Sequence, residues 1–149
     1  MKRKRIKRII FFSAAIILVT VGLYAFSEYN RKVKDLSKVK ADMEISAADI
    51  LAEYEKDEAA SNQLYLDKVI AVKGTVKSLE KNDKGHYSVV LGNENSMASV
   101  RCSMDSIHQR KAEDLVTGSV VTVKGACTGF NSNDLLGSDL ILNRCVIQN

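Results

Sequence analysis

Apolar positions follow three different rhythms along the chain. From Ile9 to Phe26 the sequence reads IIFFSAAIILVTVGLYAF, 18 residues without a charge. At about 1.5 Å per residue, a helix of that length spans roughly 27 Å, close to the roughly 30 Å hydrocarbon core of a bilayer. A helix that is apolar all round has no face to turn toward water. Residues 28–45, EYNRKVKDLSKVKADMEI, are polar and mixed in charge, and read as a linker or stalk. From Ser46 the period becomes helical, with Ala47, Ile50, Leu51 and Tyr54 on one face. Ser46 is a suitable N-cap and Asp49, three residues on, gives an acidic form of the capping box. Ile45 and Ile50 stand at the spacing of a hydrophobic staple across that cap.

After Asp67 the period falls to two. Ile70, Val72, Gly74 and Val76 alternate with Ala71, Lys73, Thr75 and Lys77, as in a half-buried strand. EKNDKGH is a turn, YSVVLG a second strand and GNENS a second turn. ASVRCSM is a third strand, with Ala98, Val100, Cys102 and Met104 on one face. DSIHQRKAEDL has helical character, Val120–Cys127 is a fourth strand, and DLILNRCVIQ is a fifth.

A helix, three strands, a short helix and two strands make the layout of an OB-fold, a mainly-β, five-stranded Greek-key barrel. This layout accounts for an echo in the chain: IAVKGTV at 70–76 and VTVKGAC at 121–127. In such a barrel the first and fourth strands pair to close the sheet. Gly74 and Gly125 then take inward positions where a strand must bend. An antiparallel sandwich is the rival arrangement.

Charge separates the parts further. The formal net charge is +4, yet Lys2, Arg3, Lys4, Arg5, Lys7 and Arg8 precede the apolar run. The remainder carries 16 basic and 18 acidic residues, a net of −2. The basic balance therefore belongs to the tail and gives no footprint for nucleic acid. Cations on one side of an apolar span place the N-terminus in the cytoplasm. The expected organisation is a cytoplasmic tail at 1–8, a transmembrane signal anchor at 9–27, a stalk at 28–45 and the barrel at 46–149. That puts the folded domain outside the cytoplasm, in the periplasm. A signal peptide cleaved after Ser27 is the alternative, although the run exceeds the usual apolar region of about 7–15 residues. No Cys follows the run to carry a lipid.

At AEYEKDEAASNQLYLDK, VIAVKGTV, VRC, GSVVTVKGACTG and ILNRC, in that order, the chain resembles the tRNA-anti-like OB-fold family of bacterial envelope proteins. The resemblance covers most of residues 46–149. It implies an exported or membrane-attached OB-fold and brings no catalytic residues with it.

Three cysteines, Cys102, Cys127 and Cys145, allow one disulfide outside the cytoplasm. In strand order 1-2-3-5-4, Cys145 can meet either of the others; Cys127–Cys145, on hairpin neighbours, is the pair expected. Leu140 and Leu142 alternate out of phase with Cys145, which a bulge near Asn143–Arg144 would reconcile. Three reduced, buried thiols are the alternative. No CxxC occurs and neither His86 nor His108 has ligand spacing around it, so no metal is expected. No nucleophile–base set and no phosphate loop occur, so neither catalysis nor a cofactor is expected. Binding is the remaining class. The outward residues Lys73, Lys77, Tyr87 and Arg101 form the expected ligand face, since OB-folds use strands two and three for oligonucleotides or oligosaccharides. One tyrosine and a few cations are weak credentials for single-stranded nucleic acid, which needs a basic groove with stacking aromatics. The expected partners are the membrane, through the N-terminal helix, and an envelope protein or glycan; an oligonucleotide is the alternative ligand.

Overall fold

The computed structural model describes residue 17 and residues 19–24, 35–133 and 137–148. The chain divides into two units, residues 1–34 and residues 35–149. In the first, residues 19–24 are helical, with Val21, Leu23 and Tyr24 exposed. Most of the expected signal anchor, the whole basic tail and the first part of the stalk lie outside the described residues. Among the described residues no helix is long and apolar enough to cross a membrane.

The second unit is built on one sheet. Its strands are β1 (Met43–Ser46), β2 (Val69–Lys81), β3 (Tyr87–Leu91), β4 (Ser99–Met104), β5 (Val120–Asn133) and β6 (Gly137–Gln148). Neighbours run β1-β2-β3-β4-β6-β5, and an additional β2–β5 pairing closes the last five into a barrel. Closure excludes the sandwich, whose two sheets would keep open edges. The closing seam is the sequence echo: Val69–Thr75 runs antiparallel to Val120–Ala126, with Val72 opposite Val123 and Ile70 opposite Gly125. Ile70, Val72, Val76, Val123 and Cys127 are fully buried in the core.

The echo's glycines each admit a particular neighbour. A Cβ at Gly74 would stand 2.8 Å from the Ala47 Cβ, and one at Gly125 would stand 2.5 Å from the Cys145 Sγ. Both distances are too short for a real side chain, so these positions serve close approach as well as curvature.

The helical stretch is two helices, α1 (Ala47–Lys56) and α2 (Glu58–Tyr65). Ser46 caps α1 as expected: its Oγ accepts from the Asp49 amide at 3.1 Å and donates to Asp49 Oδ2 at 2.6 Å. The break falls at Asp57, whose extended backbone (φ −157°, ψ 94°) leaves the helix. Its carboxylate then caps α2, accepting from the Ala60 amide at 3.0 Å. Ala47, Ile50, Leu51 and Tyr54 are buried in the barrel's core cluster, as the helical spacing predicts. Tyr54 stacks on Phe130 with ring centres 4.8 Å apart. Tyr65 donates to Glu53 Oε2 at 2.6 Å; burial and that bond push its pKa up to about 12.

From Asp35 onward, the expected stalk is part of the domain. Leu36, in a 3-10 turn at Leu36–Lys38, is buried against Ala126 and Val146 in a small cluster of its own. Lys124, only 5% exposed, donates from Nζ to the Val39 carbonyl at 2.7 Å. The Asp42 amide donates to the Val69 carbonyl at 2.7 Å, and Asp42 Oδ2 accepts from the Val69 amide at 2.9 Å. β1 then pairs in parallel with β2, from Met43 opposite Ile70 to Ser46 opposite Lys73. Those β2 residues also pair with β5, so β1 occupies the other edge of β2, ahead of the stretch that β3 takes from Val76. A four-residue parallel strand shows one alternation, Met43 and Ile45, which is too little pattern to stand out in a charged stretch.

The short helix between the third and fourth barrel strands is α3 (Arg110–Glu113), after a turn at 105–109. The bulge in β6 is also present. Lys124 faces Val146 while Ala126 faces Asn143, and between them Arg144 takes φ 54°. Leu140, Leu142 and Cys145 are consequently all buried. The expected Cys127–Cys145 disulfide is not formed: all three cysteines are free and buried. Cys127 faces Leu142 across the hairpin, three residues short of Cys145, and its sulfur lies 3.6 Å from Tyr54 Oη. The bulge brings the Cys145 sulfur against Gly125.

Candidate functional site

An open groove of about 690 Å³ lies between α1 and the β3–β4 loop. One wall is the exposed side of α1, with Ala48, Ala52 and Glu55; the floor is Lys73–Thr75 of β2. The opposite wall is the loop from Gly92 to Ala98. That loop is ordered by its own bonds. Asn93 Oδ1 accepts from the Asn95 amide at 3.1 Å, the Asn93 carbonyl accepts from the Ser96 amide at 3.0 Å, and Ser96 Oγ accepts from the Ala98 amide at 3.1 Å. Lys77 fixes it to the barrel, donating from Nζ to the Ser96 carbonyl at 2.6 Å. Gly74 makes the groove possible by letting the start of α1 come down onto β2. With small side chains on one wall and asparagines on the other, the groove offers hydrogen-bonding partners to an extended ligand.

The four residues expected to form one face separate into two groups. Lys73 is exposed on the groove floor and Lys77 anchors its loop wall. Tyr87 and Arg101 lie elsewhere. Tyr87 shares the inward parity of Val89 and Leu91 and packs against the core, which corrects its expected outward position. Its hydroxyl accepts from Lys81 Nζ at 2.9 Å, and that ammonium stands 4.7 Å from the ring centre. Arg101 does point outward but is held by two carboxylates, Glu80 and Asp139, the latter at 3.4 Å. Asp139 also accepts from the Ser99 hydroxyl. This part of the expected face is therefore a neutralised charge network.

Sequence reasoning missed the groove's walls. The signal available was GNENS, read only as a turn: three consecutive polar residues, Asn93, Glu94 and Asn95, remain exposed there.

A protein from Klebsiella pneumoniae, described as a candidate nucleic acid-binding lipoprotein, superposes with a TM-score of 0.55 at 19% identity, covering 79% of this chain and 100% of its own. A candidate aspartyl-tRNA synthetase from Leishmania major gives a TM-score of 0.43 at 12% identity, over 85% of this chain and 25% of its own. The asparaginyl-tRNA synthetase of Pyrococcus horikoshii gives 0.39 at 14% identity, over 56% and 20%. The first of these shows a shared fold. No curated protein matches the chain. The sequence-level match is to a family: the tRNA_anti-like model fits residues 1–145, and the chain belongs to that family.

Proposed function

We propose that the chain is a membrane-tethered binding module of the bacterial envelope, held by its N-terminal apolar segment, with the barrel outside the cytoplasm. It acts by binding, without catalysis, and its groove between α1 and the β3–β4 loop takes an extended, hydrogen-bonding segment of a protein or glycan. The observation that carries this reading is the disposition of charge. Residues 35–149 hold 13 basic and 17 acidic residues, a net of −4. Arg101 lies between two carboxylates, and Lys77 is bonded to a loop carbonyl. A single-strand binder needs free cations along a track with stacking aromatics.

Single-stranded nucleic acid is the second reading, raised by the description of the Klebsiella pneumoniae relative, whose 19% identity supports the fold alone. Full-length protein in detergent, titrated with short oligonucleotides and with an array of envelope glycans, separates the two. The proposal expects no oligonucleotide affinity tighter than the loose non-specific range of about 10⁻⁴–10⁻⁶ M at physiological salt. A tighter, steeply salt-dependent complex favours nucleic acid. For the tether, protease added to spheroplasts should digest the barrel; a protected barrel overturns the exported placement.

A further inference from the structure

We propose that the turn at 105–109, which carries Ile107, is a second membrane contact that rests the barrel on an anionic lipid surface. Ile107 is 75% exposed, more than any other large apolar side chain among the described residues. The turn that presents it is well bonded. The Ile107 amide donates to Asp105 Oδ1, the His108 amide to the Asp105 carbonyl and the Asp105 amide to the Cys145 carbonyl, each at 2.9 Å. A lone exposed apolar residue is ordinary on a protein surface; what sets Ile107 apart is its place. The next residue, His108, holds Nε2 3.0 Å from Oδ1 of Asp35, the first residue of the barrel unit. Buried Leu36 and the Lys124 bond to the Val39 carbonyl fix that entry point on the barrel.

The length of chain before the entry point selects the partner. Residues 27–34 alone separate the apolar run from Asp35. Fully extended, that stretch reaches at most about 30 Å. The inference rests on the membrane tether proposed above: with the apolar run in a bilayer, Asp35 and the turn bonded to it stay within that reach of lipid. Charge fits the same partner. On the two segments so joined, residues 35–40 and 105–111, Lys38, Lys40, Arg110 and Lys111 are exposed. The carboxylates there, Asp35 and Asp105, are engaged by His108 and by the Ile107 amide. Glu113 and Asp114 begin only beyond them. An apolar side chain entering the headgroup layer, with cations drawn to anionic lipid beside it, is the chemistry of an interfacial contact.

The chain has no tryptophan, so Ile107→Trp makes a single reporter. Full-length Ile107→Trp protein is placed in nanodiscs of phosphatidylglycerol with brominated phosphatidylcholine. Its emission should shift to shorter wavelength and lose intensity to the bromine, relative to discs with unbrominated lipid. Met97→Trp, at another exposed position, should keep its intensity. Equal quenching at both positions would overturn a specific lipid-facing turn, and so would none at residue 107. Discs of phosphatidylcholine alone should weaken the quenching; an unchanged signal would overturn the role given to the four cations. Hydrogen exchange in the wild-type protein gives a reading that no introduced tryptophan can bias. Amides of residues 105–111 should exchange more slowly in phosphatidylglycerol discs than in detergent, and Ile107→Glu should abolish that slowing. Equal rates in wild type would refute the contact. Protein that enters the discs with its turn free of lipid defeats this inference and leaves the tether standing; protein that fails to enter them defeats both.

Discussion

The dipeptide Lys-Gly stands at matching places on the two strands that close the barrel, yet its two lysines live in different surroundings. Lys73 is exposed on the groove floor. Lys124, on the partner strand opposite Ala71, is buried to 5% and donates to a backbone carbonyl of the segment that leads into the barrel. Both lysines point away from the core, as alternation requires. What differs is the cover: the Asp35–Val39 segment crosses one outer face and not the other. A two-residue period tells which side of a sheet a residue faces, and tells nothing about what lies over that side.

Five measurements would break or sharpen that contrast. The largest effect belongs to Gly125→Val, which drives a side chain against Cys145 Sγ and Leu142 in a rigid wall; overpacking of this kind costs about 1–3 kcal/mol, here at the upper end. Gly74→Val should cost somewhat less of the same range, since the start of α1 can shift away from β2. Urea titration of the full-length protein in detergent measures both, and a wild-type midpoint for either removes its strand from the closing seam. Lys124→Met leaves the Val39 carbonyl without its charged donor and should cost about 1–3 kcal/mol. A neutral result there means that the covering segment is not docked in solution.

The fourth measurement is acid unfolding. Asp35, at the start of the same segment, has its pKa lowered to about 2, first by the Ser37 amide, then by the Ser37 side chain and by His108. A depressed carboxylate contributes stability that is complete above its ordinary value of 3.8 and is lost as pH falls toward 2. Asp35→Asn should therefore flatten the loss between pH 4 and pH 2. Parallel curves for the two proteins would show that the carboxylate is not held. The smallest effect is Lys73→Ala, within about ±0.5 kcal/mol by thermal melting; a larger loss would mean that the two lysines are not differently placed after all.

The barrel was legible because its strands are long and its core one-sided. The echo predicted the closing pair, and the phase conflict between Leu142 and Cys145 predicted the bulge. What was not legible depended on edges and on distant partners. β1 joins through backbone hydrogen bonds, which side-chain patterns do not report. The groove's loop is pinned by Lys77 to Ser96, a contact 19 residues apart in sequence. Tyr87 was placed outward although it stands two residues before Val89, whose inward side it shares. The helix break did leave a trace, since Asp57 is a good N-cap residue type, but it stands among four other charged residues, Glu53, Glu55, Lys56 and Glu58, which hide it.

The position of β6 has a consequence for biosynthesis. It is the last barrel strand in chain order, yet it lies between β4 and β5 in the sheet. While the chain is being delivered, β2, β3 and β4 can form a meander, but β5 has β2 alone to lean on until Gly137–Gln148 arrive. Until then both β4 and β5 present unpaired edges, the feature that invites aggregation and proteolysis. Chains interrupted before this strand would thus be marked for removal by their own topology, and only complete ones would close.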